Sequence, residues 1–275
     1  MIELINSEQD LARKNFPVFV PTMGALHAGH QSLIKLGKSL SQSVLVSIFV
    51  NPLQFENQDD LAKYPRSLEA DLKLAEAAGA AAVFAPTVEV IYPAEIKKIS
   101  AGAVADLYEG AARTGHFAGV LTVVKRLFDL TKPKFAIFGE KDFQQLFLIK
   151  KMVKELELPI EIIAAPIIRE PDGLALSSRN VRLNEADRKA ALIISKALQE
   201  SNLQEMHKVL AQEPGFKLDY LAEIDEQTFG PVSANTQNKR VIIAGWVMGC
   251  ACSTIRAWEV AHEVIKWHSG LDNYS

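Results

Sequence analysis

The chain has 275 residues, of which 48% are hydrophobic and 23% charged, so it is long and apolar enough for one large domain or two modest domains with cores. Its formal net charge is −3, and acidic and basic residues are mixed along the chain. This argues against nucleic acid or an anionic membrane as a partner held by bulk electrostatics. Its two cysteines exclude a disulfide framework, no segment is long enough to span a bilayer, and we expect a cytoplasmic protein with small-molecule substrates.

The first 165 residues alternate predicted strands with predicted helices. Continuous apolar runs such as 44–50 are typical of strands buried on both faces of a parallel sheet, and apolar residues at helical spacing lie between them. This alternation predicts an α/β fold, a Rossmann-like open parallel sheet with helices on both faces. After a short first strand, the predicted strands are 16–20, 44–50, 82–85, 135–138 and 160–164, and the predicted helices are 7–15, 30–40, 67–78, 121–130 and 143–156.

The pattern changes after about residue 170. Two predicted helices, 184–199 and 203–212, precede two predicted strands, 218–224 and 240–247, which indicates a smaller α+β region. We therefore predict a first domain over 1–169 and a smaller C-terminal lid domain over 170–275.

The segment 21–30, Pro-Thr-Met-Gly-Ala-Leu-His-Ala-Gly-His, joins a predicted strand to a predicted helix. The first N–H groups of a helix are unpaired and favour anions, and Gly24 lets the backbone approach a ligand closely. His27 and His30 are spaced to donate hydrogen bonds to phosphate oxygens. Considered alone, these histidines are at least as consistent with a helix cap or a core position, and zinc binding is a weaker third interpretation.

Other polar residues follow the carboxyl ends of predicted strands. Asn51 and Gln54 follow one strand, and Gly139, Lys141 and Asp142 follow another. In open parallel sheets ligands bind beyond these ends, so we expect the side chains to converge on one crevice. Further along, the segment 169–180 offers adjacent serines and an arginine, which suits either a phosphate-binding loop or an interdomain linker.

Six segments taken together resemble one family. They are PTMGALHAGH (21–30), FVNPLQF (49–55), YPR (64–66), EGAARTGHFAGVLTVV (109–124), FGEKDFQQL (138–146) and DGLALSSRN (172–180). In this order they resemble the pantoate–β-alanine ligases, members of the H-x-G-H nucleotidylyltransferase superfamily. The resemblance implies a nucleotidylyltransferase-type fold and a homodimer. It also implies ATP-dependent joining of (R)-pantoate to β-alanine through pantoyl adenylate, with release of AMP and pyrophosphate.

The resemblance also implies roles for individual residues. His30 matches the proton donor and His27 its partner, with Lys141 and Arg179 as further catalytic residues. Asp71 is the evident match to a magnesium-contacting cluster, and we expect Mg²⁺ to be held mainly by the ATP phosphates. Glu109, Arg113 and His116 match pocket neighbours or core positions. The ATP contacts implied are Met23, Gly24, His27, His30, Gly139, Lys141, Asp142, Ile168, Leu176, Ser177, Ser178 and Arg179, and the pantoate contacts are Gln54, Gln145, Pro21, Met23, Asn51 and Tyr64.

Two alternative functions remain open at this point. Another H-x-G-H nucleotidylyltransferase would transfer a whole nucleotide without releasing AMP, and a non-catalytic nucleotide-binding protein would need a damaged site. The chain also departs from the family in its tail, 248–275. There Cys250 and Cys252, with His262, suit either a metal site or, more simply, buried small residues.

Overall fold

A computed structural model describes residues 2–55, 61–62 and 64–247 of the chain. The chain divides into two compact units, and the division falls between Ile168 and Arg169.

The first unit is built on a six-stranded sheet in which every neighbouring pair is parallel. The strand order is β1-β4-β3-β2-β5-β6, so the chain reverses its direction across the sheet between β2 and β5. Such a reversal opens a crevice at the carboxyl ends of the two strands. The predicted α/β parallel sheet is confirmed. The strands are β1 Glu3–Ile5, β2 Val18–Thr22, β3 Val44–Ile48, β4 Ala82–Phe84, β5 Phe135–Gly139 and β6 Glu161–Ala165.

Helices connect these strands. The helix predicted over 121–130 begins earlier, at His116, because Gly115 with φ 77° forms its N-cap and Gly119 is tolerated inside it. The first helix ends at Ala12 rather than near residue 15. The helices are α1 Glu8–Ala12, α2 Ala28–Leu40, α3 Leu68–Ala78, α4 Val88–Ile91, α5 His116–Thr131 and α6 Phe143–Glu155, with 3-10 turns at Pro52–Gln54, Ala103–Asp106 and Glu140–Asp142.

The core lies on both faces of the sheet because successive side chains of a strand point to opposite sides. On one face Val18 and Val20 pack in a cluster with Ile34 of α2. On the other face the ring of Phe19 meets Phe128 of α5 edge-on, with centroids 6.4 Å apart. Helices therefore cover both faces, as the continuous apolar strands predicted.

Gly37 sets how closely α2 approaches the sheet. A Cβ atom at this position would lie 3.0 Å from Cγ1 of Val18 and 3.1 Å from Cδ1 of Ile137. A larger residue would therefore push α2 outward. The short link from Thr22 to Ala28 keeps the start of α2 close to the end of β2, beside the crevice.

Over residues 169–247, the second unit combines three α-helices with an antiparallel pair of strands. The helix predicted over 184–199 is divided in two at Leu192, and its apolar side chains pack with Met206 and Ile243 in one buried cluster. The elements are α7 Glu185–Ala191, α8 Ile193–Ala197, α9 Leu203–Leu210, β7 Phe216–Asp225 and β8 Lys239–Val247, with a 3-10 turn at Asn180–Arg182.

Within the part of the chain that the structure describes, no helix is long and apolar enough to cross a membrane. The tail features considered from the sequence, Cys250, Cys252 and His262, lie outside the described residues.

The packing of α2 leads to a prediction about stability. Ile34 is fully buried, so Ile34→Ala leaves a cavity against β2 and should lower the free energy of unfolding by about 2–5 kcal/mol. Leu40→Ala, at an exposed position of the same helix, should change it by less than about 0.5 kcal/mol. Urea unfolding followed by circular dichroism measures both. Equal losses would show that α2 does not pack on the sheet as described.

Candidate active site

The site begins at the turn that follows β2. Thr22 Oγ1 donates to the carbonyl oxygen of Ser47 at 2.6 Å and accepts from the N–H of Gly24 at 3.1 Å. Gly24 has φ +83°, which favours glycine, and a Cβ there would lie 2.8 Å from Asp71 Oδ2. The turn is therefore fixed from one side by the neighbouring strand.

Asp71, on α3, fixes the turn from the other side. Its buried carboxylate accepts from the N–H of Ala25 at 3.0 Å and from the N–H of Leu26 at 2.7 Å. Burial raises the pKa of the carboxyl, and these two N–H groups oppose that rise by stabilising the ionised form. The resemblance matched Asp71 to a magnesium contact, but each of its oxygens already accepts a backbone N–H in this structure.

The two histidines together cap α2. His27 is the N-cap residue, and its Nδ1 accepts from the N–H of Gly29 at 3.1 Å. His30 reaches back, and its Nδ1 accepts from the N–H of His27 at 3.3 Å. In a neutral imidazole whose Nδ1 accepts, the proton is on Nε2. Both rings therefore have Nε2–H as their remaining donor, and their centroids lie 4.1 Å apart.

His30 is neutral at physiological pH. Burial, then the adjacent His27 and the Lys141 ammonium lower its pKa to about 3, against a weaker opposing effect of Asp142. The imidazole therefore offers an uncharged N–H donor. This arrangement unites the two interpretations that the sequence left open, since the histidines are helix caps and also hydrogen-bond donors.

Lys141 and Asp142 follow the end of β5 and lie near His30. Both belong to the 3-10 turn that follows Gly139, and Lys141 Nζ lies 3.4 Å from Asp142 Oδ1. Their charges act on His30, so the ends of β2 and β5 meet at the topological reversal. The convergence expected from the sequence is present for these two strands. Ile168 follows β6 as the last residue of the first unit.

The end of β3 contributes Asn51 and Gln54. Asn51 is the N-cap of the turn Pro52–Gln54, and its Nδ2 donates to Gln54 Oε1 at 3.1 Å. Gln54 Nε2 donates to Met23 Sδ at 2.9 Å, which joins this turn to the one after β2. Pro21 pairs with Ser47 in the register of the two strands. Three strand ends therefore surround one crevice.

A buried polar cluster lies behind Gln54. Arg113 donates from Nη1 to His116 Nε2 at 3.0 Å and lies 3.4 Å from Glu109 Oε1. Because an arginine only donates, the His116 proton is on Nδ1, which donates to the carbonyl oxygen of Gln54 at 2.9 Å. Burial, then Arg113, lowers the pKa of His116 to about 4. The cluster thus holds the backbone of Gln54 through a neutral imidazole.

Gln144 has a structural role that the sequence analysis missed. It is buried, donates from Nε2 to the carbonyls of Val104 and Leu107 at 2.8 Å each, and accepts from the N–H of Glu109 at 3.1 Å. Its neighbour Gln145 is half-buried. Adjacent residues of a helix point about 100° apart, so only one of the two glutamines can hold this loop. Helical spacing was the signal that separates them.

Tyr64 is also buried, and its ring meets that of Phe55 edge-on with centroids 5.8 Å apart. Phe55 follows Gln54 directly, so the position predicted for Tyr64 lies next to the Gln54 turn.

The second unit carries the remaining predicted nucleotide contacts. Ser177 and Arg179 are buried, and the N–H of Arg179 donates to Ser177 Oγ at 3.3 Å. Leu176 and Ser178 are half-buried in the same segment. Asn180 closes the segment by donating to the carbonyl of Ala175 at 3.0 Å. The loop is therefore an ordered turn within its own unit.

Among the residues that the structure describes, no group of three or more His, Cys, Asp or Glu side chains could hold a metal ion. The histidine pair therefore has no third protein ligand within the described ranges, and zinc binding finds no support there.

Comparison with known proteins identifies one family. The model of the Pantoate-beta-alanine ligase family matches residues 2–256. The pantothenate synthetase of Thermoanaerobacter sp. (strain X514) is 45% identical over 257 residues, 88% of this chain and 90% of that protein. That of Bacteroides fragilis (strain ATCC 25285) is 44% identical over 252 residues, 86% and 87% of the two chains.

Solved structures agree. The pantothenate synthetase of Thermus thermophilus superposes with a TM-score of 0.83 at 41% identity, covering 89% of this chain and 95% of that one. A pantoate-β-alanine ligase from Francisella tularensis, complexed with β-γ ATP and β-alanine, gives a TM-score of 0.76 at 36% identity and covers 90% and 94%.

The His30 environment predicts a response to charge. Removing the nearby ammonium in Lys141→Ala should raise the pKa of His30, because a cation opposes protonation of the imidazole. Lys150→Ala, an exposed position on α6, should leave it unchanged. NMR titration of histidine side chains measures both, with the His30 signals assigned from His30→Gln. A His30 pKa near the ordinary 6.5 in the unmodified protein would contradict the described burial.

The Asp71 bonds predict a loss of stability. Asp71→Asn places an amide nitrogen against one of the two N–H donors, and we expect the free energy of unfolding to fall by about 1–3 kcal/mol. Glu69→Gln on the same helix, where the side chain is exposed and paired with Lys73, should change it by less than about 1 kcal/mol. Urea unfolding measures the difference, and indistinguishable variants would contradict the role of Asp71.

Proposed function

The chain belongs to the pantoate–β-alanine ligase family, and on that premise we propose that it joins pantoate to β-alanine at the expense of ATP through a pantoyl-adenylate intermediate. The observation that carries the proposal is that Nδ1 of both His27 and His30 accepts a backbone N–H at the start of α2, which makes Nε2 the donor nitrogen of each ring, with the charge of Lys141 acting on His30 at the reversal between β2 and β5. A helix N-terminus with N–H donors suits a phosphate.

In the first step, a carboxylate oxygen of pantoate attacks the α-phosphorus of ATP. The bond from that phosphorus to the oxygen bridging the β-phosphate breaks, and pyrophosphate leaves. Negative charge grows on the oxygens of the leaving group, where His27 and His30 would donate hydrogen bonds. Lys141 would supply the positive charge, and its ammonium is a compact donor suited to phosphate.

The neutral state of His30 matters because the attacking group is itself an anion. A cationic imidazole would pair with the pantoate carboxylate in the ground state, which would raise the barrier to attack. Burial and Lys141 keep His30 uncharged. The negative charge that develops on the leaving phosphate oxygens would then strengthen the hydrogen bond donated by Nε2–H of the neutral imidazole.

We assign Gln54 and Gln145 to pantoate. Gln54 is buried and held at both ends of its side-chain amide, by Asn51 and by Met23, so a substrate meets a preformed donor. Neutral amides orient an acid and its hydroxyl groups without a strong ground-state ion pair. Pro21, Met23, Asn51 and Tyr64 would complete the surroundings of this substrate.

In the second step, the β-alanine amine attacks the carbonyl carbon of pantoyl adenylate. The amide bond forms, the amine nitrogen gives up a proton to water, the bond from that carbon to the phosphate oxygen breaks, and AMP leaves. The protein's contribution to this step would be alignment, since the adenylate is already an activated acyl group.

We further propose that Mg²⁺ arrives with ATP and is held by its phosphates, as is usual for this ion. Asp71 is not offered as its main ligand, because both of its oxygens accept backbone N–H groups. Ser177, Ser178 and Arg179, with Gly139, Asp142, Ile168 and Leu176, stay proposed nucleotide contacts on the strength of the resemblance.

A homodimer and a cytoplasmic location are likewise proposals that rest on the family. Light scattering during size-exclusion chromatography tests the first, and it would give twice the chain mass of 30.3 kDa for a dimer.

The experiment that tests the function separates the two steps. Labelled pyrophosphate should exchange into ATP only when pantoate is present, with magnesium and without β-alanine. AMP should accumulate once β-alanine is added. Exchange without pantoate would point to another acceptor, and AMP formation without β-alanine would point to simple hydrolysis of the adenylate.

Lys141 gives a sharper prediction for the first step. Lys141→Ala should reduce pantoate-dependent exchange by about 10²–10³-fold, because the charge opposite the phosphates is lost. Lys150→Ala, exposed on the next helix, is the matched control and should keep normal exchange. Thermal unfolding checks that both variants are folded. A Lys141→Ala variant with normal exchange would remove Lys141 from the site.

A further inference from the structure

Tyr92 is a polar side chain near the crevice to which the mechanism above gives no role. It follows α4, and its hydroxyl donates to Asn51 Oδ1 at 2.8 Å across 41 positions of the chain. Its ring meets Phe49 edge-on with centroids 6.1 Å apart, and burial raises the pKa of its phenol. The hydroxyl is therefore a permanent donor held in place by ring packing.

The hydroxyl determines which way the Asn51 amide faces. Asn51 Oδ1 accepts from Tyr92 and from the N–H of Leu53 at 3.2 Å, so the oxygen lies between two donors. Asn51 Nδ2 donates to the carbonyl of Gly119 at 3.1 Å and to Gln54 Oε1 at 3.1 Å. Both lone pairs and both N–H groups of this amide are thereby used. A flipped Asn51 would place its oxygen against two acceptors.

The orientation of the Asn51 amide in turn fixes the orientation of the Gln54 side-chain amide. Because Gln54 Oε1 accepts from Asn51, the nitrogen is the end of the amide that reaches the turn after β2, where Nε2 donates to Met23 Sδ. A thioether sulfur is a weak acceptor, so a substrate oxygen can replace it at little cost. Gln54 thus offers an N–H donor to a ligand.

We propose that Tyr92 is a positioning residue for the pantoate site: through Asn51 it holds Gln54 with its amide nitrogen toward the substrate, so that the site selects an acceptor oxygen. This inference rests on the proposed function for the identity of the substrate. The group recognised is a carboxylate or hydroxyl oxygen of pantoate, and Tyr92 itself touches neither the substrate nor the reacting atoms.

The first test is the kinetics of Tyr92→Phe in pantoate-dependent pyrophosphate exchange. Loss of one neutral hydrogen bond should raise KM for pantoate about three- to tenfold, while KM for ATP stays unchanged. Tyr220→Phe, on β7 of the second unit, is the matched control and should alter neither constant. Equal rises in both KM values, or none for pantoate, would overturn the proposal.

A double-mutant cycle separates positioning from general structural support. If Tyr92 acts through Gln54, Tyr92→Phe should have no further effect on KM for pantoate in a Gln54→Ala background. Additive effects would mean that Tyr92 acts by another route. Gln54→Glu keeps an acceptor for Asn51 but presents an oxygen to the substrate, and it should raise KM for pantoate more than Tyr92→Phe does.

A measurement that needs no turnover keeps this proposal distinct from the proposed function. The side-chain amide protons of Gln54, assigned by their absence in Gln54→Ala, should shift in the NMR spectrum of ligand-free Tyr92→Phe and not in Tyr220→Phe. Unchanged Gln54 signals would refute the positioning of Gln54 by Tyr92 through Asn51, whatever the enzyme's substrate. Absence of pantoate-dependent exchange in the unmodified enzyme, with shifted Gln54 signals, would refute the proposed substrate but support the positioning of Gln54 by Tyr92.

Discussion

The Asp71 carboxylate is the contact on which the candidate site depends. It holds the N–H groups of Ala25 and Leu26 in a turn that also contains a glycine with positive φ. That turn delivers His27 to the N-cap of α2, and the cap sets the tautomer of both imidazoles. A buried carboxylate that accepts two N–H groups adds charge-assisted hydrogen bonds to a turn that Thr22 already ties to the neighbouring strand. An aspartate on a different helix therefore supports the turn that leads into the two histidines.

The site combines neutral imidazoles with charged side chains from other elements. His30 and His116 both have depressed pKa values, to about 3 and about 4, and burial is the largest cause in each case. A neutral imidazole in a poorly solvated site keeps a directed N–H without attracting the attacking anion. The positive charge of Lys141 lowers the pKa of His30, and Lys141 follows the end of β5.

Amide groups hold the other side of the crevice. Asn51 and Gln144 are buried and use their hydrogen-bonding capacity on backbone carbonyls, N–H groups and neighbouring side chains. Buried hydrogen-bond networks of this kind destabilise the fold when some of their groups lack partners, and they hold side chains rigidly when every group is paired. Close packing supports them, since a Cβ on Gly119 would clash with the carbonyl oxygen of Leu53. This explains physically why a glycine lies inside α5 at that position.

The sequence by itself determined the class of fold and the strand ends at which the candidate site residues lie. Continuous apolar strands, helical spacing and glycine turns are local properties, and they located the sheet, His27, His30 and Lys141 at the strand ends. The same local patterns missed α4, which has only four residues, and the early start of α5. Only the tertiary structure decided that Asp71 accepts a hydrogen bond from a turn 46 positions away in the chain. The same holds for the hydrogen bond from Tyr92 to Asn51, which are 41 positions apart. Hydrogen bonds between distant segments depend on how helices pack on the sheet, and no periodicity along the chain records that packing.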